Sequence, residues 1–210
     1  MTDNSGKKHM LQPDAQPGDF RFKNVNNDTI IDSKDQTWIG NPLPKITYGF
    51  SINLGYKGFD LTAFFQGSYG NDIYDEGRQY AHSLGICYSE YEYKNAWRGE
   101  GTSNSAPILT TVDINHNYSN NSDFYVEDGS YLRLKNLQIG FSFPQNVTEK
   151  LKVANARIWF SGTNLITLTR YHGNDPEIGA ARTPTTYAGF DMAGYYPKSR
   201  ELSIGLTVSF

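Results

Sequence analysis

The sequence predicts an all-β chain, a segment of an antiparallel transmembrane β-barrel, and three observations predict it. Apolar and polar residues alternate over runs of about ten, longer than the ~5–6 residues usual for strands of soluble sheets. The connections between those runs are in turn very short and very long, as in membrane barrels. Aromatic residues reach 14% while the mean hydropathy is only −0.58, as expected where outward apolar and inward polar side chains average out.

The first alternating run is TYGFSINLGY, about 47–56. Tyr48, Phe50, Ile52, Leu54 and Tyr56 share one face; Thr47, Gly49, Ser51, Asn53 and Gly55 share the other. Lys57-Gly58 comes next as a tight hairpin turn, with Gly supplying the positive φ such turns require. The second run, 59–69, sets Phe59, Leu61, Ala63, Phe65 and Tyr69 against Asp60, Thr62, Gln66 and Ser68. Residues 70–130 are polar and rich in Asn, Asp, Ser and Gly, so they read as a long external loop, with a short helix over Tyr88–Trp97. Alternation resumes at 131–143, where Leu137, Ile139, Phe141 and Phe143 align; the mixed upper half either rises above the lipid or contains a bulge, and Pro144 stops the strand. The run 156–169 places Ile158, Phe160, Ile166 and Leu168 together, interrupted by Gly162 and Asn164. A second long loop covers 170–199. The last run, 200–210, is the cleanest, with Leu202, Ile204, Leu206, Val208 and Phe210 opposite Glu201, Ser203, Gly205, Thr207 and Ser209. Residues 1–46 read as an external loop region preceding the strands. A soluble β-sandwich also alternates, although it favours shorter strands and connections.

Composition excludes several classes. No apolar run approaches the ~18 residues of a membrane helix. The net charge of −3, with both signs interspersed, leaves no basic stripe for nucleic acid. Cys87 is the single cysteine, so neither a disulfide framework nor a zinc cluster is encoded. The polar start, MTDNSGKKHM, has no signal-peptide pattern, which conflicts with membrane strands unless the true amino-terminal part lies outside this sequence.

Several segments, in order, resemble the carboxy-terminal region of the SusC/RagA family of TonB-dependent outer-membrane transporters. They are PGDFRFKNVNNDTIIDSKD (17–35), the stretch from IGNPLPKITYGF to GSYGNDIY (39–74), YLRLKNLQIGFSF (131–143), ARIWFSGTNLITLTRYHGNDPE (156–177) and YYPKSRELSIGLTVSF (195–210). The resemblance implies about five carboxy-terminal strands of a barrel of roughly 22. It implies location in the cell outer membrane and nutrient uptake, of oligosaccharide or peptide, with a SusD-like lipoprotein at the mouth. The TonB complex would act through a plug that, with the rest of the barrel, is missing from this sequence. Scaling by strand number gives a parent of ~900 residues before the plug. A secreted, soluble carbohydrate-binding β-module is the alternative. An open antiparallel sheet with long loops is expected; a small closed barrel or a two-sheet core would contradict it.

Three groups of residues are candidate sites. Leu202, Ile204, Leu206, Val208 and Phe210 resemble the terminal-strand signal read by the barrel-assembly machinery, since a strand edge with an apolar face can be captured by edge pairing. Tyr88, Tyr91, Tyr93 and Trp97 could stack on sugar cargo or meet a partner protein. Asn24, Asn26, Asp28, Asp32 and Asp35 resemble an EF-hand-type calcium loop, but Asn24 replaces the leading Asp, Thr29 stands where Gly is preferred, and Asp35 replaces the bidentate Glu. An Asx-rich turn held by its own side chains is the other reading of that segment. No catalytic constellation is evident: His9, His82, His116 and His172 are scattered, Cys87 lacks a nearby His, and Asp175 and Glu177 read as surface loop. The chain is therefore not expected to be an enzyme.

Overall fold

The computed structural model describes residues 10–85, 87–177, 188–192 and 196–210. The chain divides into two compact units: residues 1–40, 75–126 and 192–194 form one, and residues 41–74, 127–191 and 195–210 form the other.

Seven strands occur along the described chain: β1 (Ile46–Tyr56), β2 (Phe59–Tyr69), β3 (Asp72–Tyr74), β4 (Val126–Asp128), β5 (Tyr131–Ser142), β6 (Asn155–Thr169) and β7 (Glu201–Ser209). The second unit is built on one five-stranded antiparallel sheet, in the order β1-β2-β5-β6-β7, and β3 and β4 pair as a separate short ribbon. Each limit of the five sheet strands lies within one residue of the limit expected from alternation. Lys57 and Gly58, at φ 46° and 88°, close the β1–β2 hairpin as a two-residue turn whose twist matches the strands. One turn of helix, Gln145–Lys150, links β5 to β6; it begins after Pro144, whose fixed φ suits the entry to a helix. Among the described residues no strand pairs with the outer edge of β1 or of β7, so the sheet is open.

Register carries the alternation from strand to strand. Leu54 lies opposite Leu61, Leu61 opposite Ile139, Ile139 opposite Phe160, and Phe160 opposite Ile204. The neighbouring row runs Tyr56, Phe59, Phe141, Ile158, Leu206. A one-residue slip at any pairing would have sent half of each row to the other face. A bulge is present: the β2–β5 and β5–β6 pairings both shift around Lys135, and β6 accommodates the shift with Asn164 at φ 51°. The shift keeps Leu134, Leu132, Ile166 and Leu168 in phase with the apolar face, which explains why the upper half of the 131–143 run reads as mixed.

The first unit contains α1 (Glu76–Ser83) and α2 (Glu90–Asn95), and among its described residues no sheet is formed. Asp75 caps α1 by accepting from the Arg78 N–H, and Ser89 and Glu92 form a reciprocal capping box on α2. Its centre is aromatic and amide-rich: Tyr118, Tyr125 and Asn117 are almost wholly buried. Asn117 ties the two sequence segments together, since its Oδ1 accepts from the Phe20 N–H at 2.8 Å and its Nδ2 donates to Asp19 at 2.7 Å. Phe20 and Phe124 pack at 5.0 Å, and the Trp97 ring lies where a side chain on Gly18 would sit. Residues 1–40 thus cluster with 75–126.

Candidate functional site

The two faces of the sheet differ in kind. On one, Leu54, Tyr56, Phe59, Leu202, Ile204 and Leu206 are each more than half exposed, and Phe50 stacks on Phe65 at 4.8 Å. Leu202, Ile204, Leu206 and Val208 lie on this face of β7, opposite Gly162, Phe160, Ile158 and Ala156. Phe210, just past the strand, is 97% exposed. So large an apolar surface on one side of a sheet requires something apolar to cover it.

The other face is polar and internally paired. Arg157 on β6 reaches across β5 to Asp60 on β2, with Nε and Nη2 at 3.1 and 2.5 Å from its two carboxylate oxygens. The pair passes directly over Gly140, where a Cβ would collide with both partners. Likewise the Trp159 ring occupies the space above Gly205 on the neighbouring strand. Higher up, Arg133 is 3% exposed and donates to three groups: Thr167 at 2.9 Å, Glu177 at 2.6 Å and Asp175 at 2.5 Å. Glu177 also accepts from Lys135 at 2.8 Å and lies 3.1 Å from Lys198 Nζ. Burial pushes both carboxyls up, but Arg133 at Asp175, and Lys135 and Lys198 at Glu177, outweigh it and hold each below its ordinary value. The buried Asp191, hydrogen-bonded by the Tyr171 hydroxyl at 2.5 Å, goes the other way, raised by its burial. An open cavity of about 800 Å³ lies on this unit, lined in part by Thr47, Gln66, Ser68, Asn71, Tyr131, Glu177 and Lys198.

A sheet with one apolar face and one polar face has counterparts among known proteins. No family model matches the chain. The chain is 34% identical over 204 residues to TonB-dependent receptor P3 of Formosa agariphila, covering 95% of this chain and 20% of that protein. It is 25% identical over 205 residues to TonB-dependent receptor SusC of Bacteroides thetaiotaomicron, covering 97% and 19% respectively. In fold it is similar to the RagAB peptide importer in its open-open state, with a TM-score of 0.67 and 24% identity over 87% of this chain and 19% of that one. The chain thus matches part of several TonB-dependent receptors, SusC among them, and shares the fold of part of RagAB. It spans about a fifth of the length of the relatives it matches.

Within this chain the four loop aromatics do not form one platform. Tyr88 stacks on His82 at 5.0 Å and donates to the Thr110 carbonyl, and Trp97 packs over Gly18. Tyr91 and Tyr93 on α2 remain more than 60% exposed, with the Arg98 guanidinium 4.8 Å from the Tyr93 ring. In the calcium-like segment the side chains serve the backbone. Asp35 accepts from the N–H groups of Val25, Asn26 and Asp32, Asp28 from Ile30, and Asp32 from Lys34. The Asp32 N–H chiefly, with those of Val25 and Asn26, holds the Asp35 carboxyl below its usual value. Among the described residues no group of three His, Cys, Asp or Glu side chains is disposed to hold a metal ion.

Two clusters escape the sequence reading. His82, one of the scattered histidines, is buried between Glu92 (Nε2 to Oε2, 3.0 Å) and the Tyr125 hydroxyl (Nδ1, 3.2 Å). Burial raises the Glu92 carboxyl, yet the His82 and Ser89 hydrogen bonds prevail and bring it down to about 2. Arg133, Asp175 and Glu177 form the other cluster. Their sequence signal was limited to lying in two segments that resemble one family.

Proposed function

We propose that this chain forms part of the wall of an outer-membrane transporter that takes up oligosaccharide or peptide. On this reading a SusD-like lipoprotein works at its mouth, and energy arrives from the TonB complex through a plug elsewhere in the protein. The role is transport, without catalysis. The single observation that carries the reading is the continuous apolar face kept in register across all five strands. Tyr48 and Tyr56 bound it on β1. Eight residues at ~3.4 Å, tilted by ~40°, make ~20 Å across the bilayer, close to the ~25 Å apolar band of such barrels. Aromatic residues at both limits match the girdles at the two membrane interfaces.

The free edges support the same reading. Each unpaired backbone group left in hydrocarbon costs several kcal/mol, so β1 and β7 would pair with strands contributed from outside this chain. Edge pairing of β7, with its apolar row from Leu202 to Phe210, is then the step offered to the barrel-assembly machinery. Tyr91 and Tyr93 are the loop aromatics left available to cargo or the lipoprotein.

Fractionating source cells and immunoblotting with antibody to residues 88–125, heated and unheated, tests the proposal. A heat-modifiable band in the outer membrane, much larger than the chain's own 23.7 kDa, is the expected result. A band in the soluble fraction that ignores heating would overturn it and favour a secreted β-module.

A further inference from the structure

The segments YLRLKN and HGNDPE lie about forty residues apart, and the sequence gives no reason for them to be coupled. In the fold they meet. We propose that Arg133, Lys135, Asp175 and Glu177 constitute an electrostatic clamp that fixes residues 171–177, the start of the last long loop, against the polar face of the sheet.

Three features carry the proposal. Arg133 is buried to 3% exposure and its guanidinium is divided between two carboxylates and the Thr167 hydroxyl, a geometry that a flexible lysine could not supply. Both carboxylates come from one three-residue stretch whose own backbone is part of the arrangement, since the Glu177 N–H donates to Asp175 at 2.9 Å; from the far end of the loop the Lys198 N–H donates to Asp175 at 3.3 Å. The bulge in β5 then explains itself. Leu134 and Leu137 both stay on the apolar side, so the extra residue between them lets Lys135 join Arg133 on Glu177. A charged pair this deeply buried is costly unless every partner is in place, so removing one should release the loop rather than weaken it slightly. The clamp is independent of the barrel reading, since it rests on contacts within one unit alone.

Hydrogen exchange on the whole natural protein that carries these residues tests it. Arg133→Met should speed exchange of the amides in 171–177 by roughly tenfold or more, as local opening no longer has to break the cluster. The β1–β2 hairpin amides should be unchanged. If Arg133→Met also strips protection from the hairpin, the strand itself has failed, and the loop-side variant Asp175→Asn with Glu177→Gln decides. The clamp requires that this variant release 171–177 while leaving the hairpin protected. Unchanged exchange of 171–177 in the loop-side variant would overturn it.

Discussion

Replacing Ile52 by arginine separates a lipid-covered sheet from a water-covered one. Ile52 lies midway between Tyr48 and Tyr56, with Ala63 opposite it, on the apolar face. Four residues at ~3.4 Å place each aromatic limit ~14 Å away along the strand and, at ~40° of tilt, ~10 Å away across the bilayer. An arginine there sits at the bottom of its reach to either interface. Midplane arginine costs ~2–4 kcal/mol in barrels of this kind, and at 1.4 kcal/mol per decade that is roughly a 30- to 700-fold loss in folding equilibrium. On a water-facing sheet the same exposed position would tolerate arginine within about 0.5 kcal/mol. The control is Ser51→Arg, one residue away on the polar face opposite Phe64. Urea unfolding of the whole protein in bilayers, read by heat-modifiable mobility, measures both. Equal costs for Ile52→Arg and Ser51→Arg would refute the assignment of the apolar face to lipid.

Three further outcomes are expected. Glu92 is held at about 2 against an ordinary 4.5. Its contribution to the loop unit is therefore fully present above pH ~4.5 and is lost as pH falls towards ~2. Near-ultraviolet circular dichroism of its tyrosines should report that loss, and Glu92→Gln should remove its pH dependence. Gly140→Ala should displace the ends of the Arg157 and Asp60 side chains that its new Cβ meets, so in urea unfolding it should destabilise the natural protein more than it destabilises the Arg157→Ala variant, where that collision is relieved. Tyr118→Phe should cost the loop unit ~1–3 kcal/mol, since it orphans the Ile108 carbonyl that the hydroxyl reaches at 2.9 Å, with slower-exchanging amides around 108–118 lost first.

The strands were legible because their physics is local. A side-chain period of two, a Lys-Gly turn and a Pro stop are written in neighbouring residues, and the β1–β2 hairpin results from them directly. The phase break in β5 was visible only as a mixed stretch, because whether 135 or 136 is the extra residue depends on what the neighbouring strands pair with. The sites were less legible. Nothing in the residue types says that Tyr88 and Trp97 are turned inward while Tyr91 and Tyr93 point outward; that depends on Ser89 capping α2 and on Gly18 vacating room for an indole. His82 and Arg133 depend on partners ten and more than forty residues away, Glu92 for one and Asp175 and Glu177 for the other. Contacts at that separation leave no periodicity behind.

The bulge at Lys135 and the irregularity at Asn164 lie side by side on β5 and β6, forming a seam between these two strands. Below it, every row is complete and each strand's phase is locked to its neighbours by side chains that all want the same side. Above it, phase has been reset, and the chain there can be lengthened or shortened without propagating a frame error downward. The seam thus works as an expansion joint. Chimaeras cut at this height should assemble more readily than those cut a few residues lower.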